Sequence, residues 1–291
     1  MRIAVLGLGA MGARMARRLL ATGEDEIVVW NRTAEATRPL VEAGATAAPT
    51  PAVAAARSDL VLGMLRDDDA GRAVWLRPDT GALAAMNPGA VAIDCSTVTP
   101  SFTGELAAGC TAHGVGFLDA PVLGSRPQAE AGTLIFLAGG DPSVVRRVEP
   151  VLRRMGGAVH HMGPSGTGAR MKLLVNALFA VQVAAVAEQV AALGGTDLDP
   201  ARAVEVLAAT PVASPAAGAA AVAMLGHTFP AAFPIDLVAK DLGYAAGSVT
   251  GRGDLPITRT AADVFQRAVE QGYGADNITG VVQLFRTAGI A

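Results

Sequence analysis

The sequence predicts a doubly wound, parallel α/β domain followed by an all-helical domain, with one long helix joining them. Three observations carry this expectation. Short apolar runs alternate with helical patterns through the first half of the chain, as βα units in a parallel sheet do. A glycine-rich turn follows the first run directly. After Gly163 no strand-like run recurs, and a pattern without a breaker extends to Gly194-Gly195.

The apolar runs are Ile3–Leu6, Ile27–Trp30, Leu60–Leu65, Val91–Ile93, Val115–Leu118, Leu134–Ala138 and Ala158–His161. Several are continuous, which suits strands covered on both faces. Helices are expected between them, over Met11–Ala21, Ala34–Ala43, Pro51–Ala56, Asp67–Trp75, Phe102–His113 and Pro142–Met155. Thr50-Pro51 and Asp141-Pro142 each place a capping residue before a proline at the first helical position. The long helix is expected from about Thr167 to Leu193, ~40 Å at 1.5 Å per residue. It is apolar on nearly every side and is therefore expected to be buried all round. Breakers at Pro211, Pro215, Gly226-His227, Gly251–Gly253 and Gly272–Gly274 divide the remainder of the chain into helix-sized pieces. The expected domains are therefore 1–163 and an all-helical 164–291, with the boundary near 163–166.

Composition narrows the function. Of the 291 residues 51% are hydrophobic and 17% charged, the opposite of a disordered chain. A net charge of −3 gives no electrostatic footprint for nucleic acid. The two cysteines, Cys95 and Cys110, are too few for a secreted disulfide framework and fit a reducing, cytoplasmic setting. The amino end reaches Gly7 without a signal-peptide pattern. The apolar tract Leu173–Ala187 is broken by Asn176 and Gln182 and is shorter than the ~20 residues of a membrane span. No membrane association is expected.

Gly7-Leu8-Gly9-Ala10-Met11-Gly12 is a GxGxxG between an expected strand and an expected helix, the context that makes it a dinucleotide fingerprint. The first glycine permits the turn, the second admits a pyrophosphate, and the third lets helix and strand pack. The helix N-terminus offers N–H groups to the phosphates. An NAD site ordinarily carries an acid about 20 residues further on, for the ribose 2′-hydroxyl. This chain has Asn31-Arg32-Thr33 there. Arg32 suits a 2′-phosphate, with Asn31 and Thr33 as further donors, so NADP is expected over NAD.

Alternation puts Ala92, Asp94 and Ser96 on one strand face and Cys95 on the other, as a core thiol. Ser96 and Thr97 then stand at a carboxyl strand end, where such sheets bind ligands. They could equally cap the helix that follows Pro100. Lys172 and Asn176 are four residues apart on the apolar helix, on one face. Buried, they need partners; the alternatives are proton transfer, or a lysine that snorkels and an asparagine that bonds a neighbouring helix. His160 and His161, adjacent in a strand, point to opposite faces and cannot readily share a metal. No CxxC, HExxH or GxSxG accompanies them, so no metal is expected.

These residues together resemble the β-hydroxyacid dehydrogenases, the group that includes 3-hydroxyisobutyrate dehydrogenase, tartronate semialdehyde reductase and the glyoxylate/succinic semialdehyde reductases. The resemblance covers essentially the whole chain. It runs from Gly7–Gly12 with Met15-Ala16, through Asp94-Cys95-Ser96-Thr97, Asp119-Ala120-Pro121-Val122 with Gly124, and Gly132-Thr133-Leu134. Its most specific part is Gly166-x-Gly168-x-x-x-Lys172-x-x-x-Asn176, with Lys240-Asp241-Leu242. It implies a Rossmann domain, a helical domain like the carboxyl-terminal one of 6-phosphogluconate dehydrogenase, and a homodimer or homotetramer. It implies hydride transfer between a nicotinamide and a small 3-hydroxy acid or aldehyde acid. Lys172 then matches the catalytic lysine and Asn176 the residue that holds substrate and lysine. Lys240 matches a lysine that reaches the nicotinamide end. Met64, Leu65 and Thr97 match cofactor-binding positions, and Ser96, Leu123, Gly124 and Ser125 substrate-binding ones.

Leu123 departs from the pattern, because the family usually has a serine there whose hydroxyl holds the substrate carboxylate. Losing one hydrogen bond to a carboxylate costs ~1.5–3 kcal/mol. A reductase of uncharged carbonyls or imines is therefore a second reading. A non-catalytic dinucleotide-binding scaffold is a third, against which the retained Lys172 and Asn176 stand.

Overall fold

The computed structural model describes residues 1–226, 228–248 and 254–285. They form two compact units, one over Met1–Lys172 and one beginning at Leu173. The breaks expected at His227 and Gly251–Gly253 lie outside the described residues.

The first unit is built on β1 (Arg2–Leu6), β2 (Glu26–Trp30), β3 (Thr46–Ala47), β4 (Leu60–Gly63), β5 (Val91–Asp94) and β6 (Gly116–Asp119). These pair in parallel in the order β3-β2-β1-β4-β5-β6. Their continuous apolar runs reflect burial on both faces. Ile3, Val5, Leu62, Ile93 and Leu118 pack on one side with α1 (Gly12–Thr22) and with the helix over Pro142–Leu152. Ala4, Leu6, Val61, Ala92 and Phe117 pack on the other, around Trp75, Phe102 and Leu106.

The sheet continues differently from the all-parallel expectation. β7 (Val122–Leu123), β8 (Leu134–Gly140) and β9 (Gly156–Gly163) complete it. β8 is antiparallel to both β6 and β7 and parallel to β9. β6 and β7 therefore follow one another along one edge of β8, with β9 on its other edge. A two-residue strand such as β7 carries no periodicity to be read from sequence.

The helical segments of this unit after α1 are α2 (Arg38–Val41), α3 (Pro51–Ala55), α4 (Asp68–Gly71), α5 (Pro100–Ala112), α6 (Arg126–Ala131) and α7 (Pro142–Leu152). The expected helix over Ala34–Ala43 is a 3₁₀ turn, Ala34–Thr37, followed by α2. The one over Asp67–Trp75 passes from α4 into a π-helical turn, Arg72–Leu76. Thr50 and Asp141 cap as expected, accepting from Val53 N–H at 3.1 Å and Ser143 N–H at 2.7 Å.

The long helix, α8 (Thr167–Ala192), is followed by α9 (Pro200–Ala209), α10 (Pro215–Met224), α11 (Ile235–Ser248) and α12 (Pro256–Glu270). Leu173, Ala177, Ala180, Val183, Ala187 and Val190 put one stripe of α8 into the core of the second unit, with Val238, Leu242 and Phe265. Another face of α8 is open in the single chain: Leu174 and Leu178 are 51% and 62% exposed. Within a single chain the small helical unit covers only one side of the helix. By length and composition alone, Thr167–Gly195 is long and apolar enough to cross a membrane.

Candidate active site

The glycine turn at the end of β1 is shaped by contacts that only glycine tolerates. Gly7 has φ +90°, and a Cβ there would lie 2.4 Å from the Met64 carbonyl oxygen. A Cβ on Gly12 would lie 2.0 Å from the Gly7 carbonyl oxygen. At Gly9 a Cβ would meet no atom within 4 Å, so that side of the turn is open. Among the described residues the N–H groups of Gly9, Ala10 and Met11 meet no acceptor. No side chain caps α1, and no acid stands in its first turn. An open glycine face beside unclaimed donors at an uncapped helix start suits a pyrophosphate. Gly7, Gly9, Ala10, Met11 and Gly12 thus fit the group that the fingerprint implies.

Asn31 belongs to this turn. Its Oδ1 accepts from Leu8 N–H at 2.9 Å, and its Nδ2 donates to the Thr33 carbonyl at 3.0 Å. It pins the glycine turn to the end of β2. Arg32 and Thr33 are exposed, and Arg32 makes no ion pair or hydrogen bond among the described residues.

The ends of β4 and β5 are joined by Ser96. Its hydroxyl accepts from Leu65 N–H at 2.8 Å and donates to Asp94 Oδ1 at 2.7 Å. Ser96 is 1% exposed. It does not cap the helix that follows, a place that Thr99 takes. Its burial and two committed hydrogen bonds make it the support of the Met64-Leu65 turn. Thr99 caps α5, accepting from Phe102 N–H at 3.1 Å, and its hydroxyl donates to Asp68 at 2.6 Å. Burial pushes the Asp94 carboxyl up to about 6, against the Ser96 hydrogen bonds that favour its charged form. Cys95 is buried on the opposite face, and burial raises its thiol pKa. It is a core thiol, as alternation predicts. Thr97 is half-buried and follows directly.

At the end of β6, Asp119 accepts from Gly166 N–H at 2.7 Å and from Ala169 N–H at 2.8 Å. This ties the first turn of α8, and with it half-buried Lys172 one turn on, to the sheet. Lys172 is the last residue of the first compact unit.

Leu123, half-buried in β7, pairs with Ile135. Gly124 has φ +113° and is exposed. Ser125 N–H donates to Gln128 Oε1 at 2.9 Å as the N-cap of α6. Expected to hold substrate, Ser125 has its N–H engaged within the scaffold.

In the second unit, Asn176 is buried and its Nδ2 donates to Asp241 Oδ2 at 2.6 Å. Lys240 Nζ lies 2.9 Å from Asp241 Oδ1 and 4.8 Å from the centre of the Tyr244 ring. Asp241 is 3% exposed, and sequence reasoning gives it no role of its own. One signal does point to it: an acid on the apolar face of α11 needs a partner.

His161 Nε2 lies 2.9 Å from the Gly140 carbonyl oxygen, and His160 is exposed. Among the described residues no group of three or more His, Cys, Asp or Glu side chains could hold a metal.

Comparison with known proteins agrees with this layout. Residues 2–163 match the NAD binding domain of 6-phosphogluconate dehydrogenase. Residues 166–285 match the NAD-binding region of NADP-dependent 3-hydroxyisobutyrate dehydrogenase. Glyoxylate/succinic semialdehyde reductase 2 of Arabidopsis thaliana is 32% identical, over 98% of this chain and 80% of its own. The NAD-dependent L-serine dehydrogenase of Pseudomonas aeruginosa is also 32% identical, over 98% of this chain and 97% of its own. The structure of Mycobacterium tuberculosis 3-hydroxyisobutyrate dehydrogenase with L-serine superposes with a TM-score of 0.85 at 29% identity, covering 98% of this chain and 99% of that one. With a glycine cradle for a dinucleotide at one end and family models spanning nearly its whole length, the chain belongs to the β-hydroxyacid dehydrogenase family and is an NAD(P)-dependent oxidoreductase.

Proposed function

We propose that the protein reduces a small aldehyde acid, or oxidises the matching 3-hydroxy acid, with NADP(H) as the preferred cofactor and Lys172 as general acid–base. One observation carries the reading: the glycine turn, the Met64-Leu65 turn and the tethered start of α8 all sit at the carboxyl edge of one sheet. Such sheets bind ligands at that edge.

The nicotinamide, when bound, supplies or accepts the hydride. The protein's part is geometry and a proton. The unclaimed N–H groups of Gly9–Met11 hold phosphate, and Arg32 meets the 2′-phosphate. In reduction Lys172, as ammonium, donates a proton to the carbonyl oxygen. In oxidation, as neutral amine, it takes the hydroxyl proton. Positioned acid–base catalysis of this kind contributes about 10²–10⁴-fold. Asn176 lies on the same helix face one turn on, where the family resemblance gives it an orienting role, and Asp241 fixes its amide.

The NADP preference rests on Arg32 and on the absence of an acid at 31–33; a relative named for NAD shows why it needs a test. The acid substrate class rests on the relatives named for glyoxylate, succinic semialdehyde and L-serine, all small carboxylic acids. The decisive assay follows NADPH oxidation with glyoxylate, succinic, tartronate and methylmalonate semialdehydes, a simple ketone and a cyclic imine. Turnover of at least one aldehyde acid above the ketone and imine is expected. Turnover of only the uncharged carbonyl or imine would shift the assignment to the reading that Leu123 suggests.

A further inference from the structure

The tie between Asp119 and α8 has more to it than filling a helix cap. Asp119 closes β6 and is 1% exposed. A long helix begins with backbone N–H groups that have no partner inside it, and a positive end that attracts an anion. α8 takes that anion from a separate strand, because its own start, Gly166-Thr167-Gly168, offers no acid. The two carboxylate oxygens divide the work: Oδ1 takes Gly166 N–H and Oδ2 takes Ala169 N–H.

Two glycines make the room. A Cβ on Gly139, in β8, would lie 2.6 Å from Asp119 Oδ1. A Cβ on Gly168 would lie 2.1 Å from the Leu137 carbonyl oxygen and 2.9 Å from Asp119 Oδ2. The carboxylate is therefore closely flanked by the backbone at Gly139 and Gly168. Lys172 is three residues beyond Ala169, ~4.5 Å along the axis, so its backbone position is set by that tie. On the neighbouring strand, Asp94 is the register partner of Asp119, and through Ser96 it supports the turn at Leu65. Adjacent carboxylates thus reference the cofactor turn and the lysine helix to the same two strand ends. Burial pushes the Asp119 carboxyl up to about 6, while the two N–H bonds favour its ionised form.

We infer that Asp119 is a positioning residue for proton transfer: by anchoring the first turn of α8 it sets where the Lys172 ammonium stands relative to the cofactor edge of the sheet. The inference rests on Lys172 being the proton-transfer group proposed above. A displacement of about 1 Å can cost ~10²-fold in rate, so the anchor need only fail slightly to be felt.

The test compares Asp119→Asn, Lys172→Ala and the double variant, with NADPH and either glyoxylate or succinic semialdehyde. Asparagine keeps one acceptor oxygen and turns an NH₂ toward the second N–H. Asp119→Asn is expected to lower kcat about 10–100-fold while NADPH Kd stays within about twofold. Amide hydrogen exchange at Gly166 and Ala169 should quicken about tenfold as local opening becomes easier. The double variant should be no slower than Lys172→Ala alone, since both act through one group. Multiplicative losses, or an unchanged kcat in Asp119→Asn, would overturn the inference while leaving the role of Lys172 intact. A normal kcat in Lys172→Ala would overturn both. If Asp119→Asn does not fold, Gly139→Ala takes its place, because it displaces the carboxylate without removing its charge. The same fall in kcat with NADPH binding kept is expected, and an unchanged kcat refutes the anchor.

Discussion

At the scale of single residues, Arg32 bears on the proposed cofactor preference and Asp94 on the response to pH. Arg32 is exposed beside the glycine turn with no acid at 31–33. Arg32→Ala is expected to raise KM for NADPH about 10–100-fold, the equivalent of one charged hydrogen bond or ion pair of ~1.5–3 kcal/mol, and to leave NADH use nearly unchanged. Steady-state kinetics with both cofactors checks it, and an unmoved ratio would count against the Arg32 assignment. Asp94 makes a prediction of a different kind. Burial raises its carboxyl from an ordinary 3.8 to about 6. Below pH 4 the folded and unfolded carboxyls are both protonated; between about 4 and about 6 only the folded one is. Folding then takes up a proton, so this residue's contribution to stability declines as pH rises through that window and is flat above it. Asp94→Asn keeps an acceptor for the Ser96 hydroxyl and removes the titration. Its Tm should fall less between pH 4 and pH 6.5 than the wild-type Tm does, by on the order of 5 °C. Parallel melting curves would contradict the shifted carboxyl.

At the scale of elements, legibility in the sequence tracked how local the determinants are. β1, β4 and β5 are continuous apolar runs, because they are buried on both faces. The direction of β8 is not encoded in Leu134–Gly140, because it depends on where the chain returns after α6. α6 buries only Ala129 and so shows no apolar period, although the Ser125–Gln128 cap and Gly132, with φ +71° at its end, mark both termini. In the site, the glycine turn was legible because sterics demand glycine at Gly7 and Gly12. The buried hydrogen bonds of Ser96 and Asp241 were not, because alternation gives a face but no partner. These supports predict two effects. Ser96→Ala leaves Leu65 N–H and Asp94 without their shared partner and should cost ~1–3 kcal/mol in denaturant unfolding, with a raised KM for NADPH. Asp241→Ala leaves the buried Asn176 amide unpaired. It should cost a similar amount and lower kcat, whereas a neutral outcome would mean that the Asn176–Asp241 bond is replaceable by water.

For the whole molecule, the exposed side of α8 asks for a cover. Leu174 and Leu178 stand on it, 51% and 62% exposed, on the helix whose other stripe forms the core of the second unit. We propose that a second copy of the chain covers this face, giving a homodimer or a homotetramer built from it. Light scattering at micromolar concentration should report at least a dimer, and Leu178→Lys should shift it toward monomer. A monomeric wild type would refute the proposal.

The account as a whole depends on Lys172. The most direct measurement is single-turnover reduction by Lys172→Ala, with NADPH and the best aldehyde acid of the screen, alongside NADPH binding. Hydride transfer is expected to slow by about 10²–10⁴-fold with NADPH affinity preserved, since the proposed phosphate site, Gly7–Gly12, does not include Lys172. Lys172→Arg should not restore it, because guanidinium stays protonated and presents a different geometry. A variant that binds NADPH and transfers hydride at the wild-type rate would contradict the claim that Lys172 moves the proton.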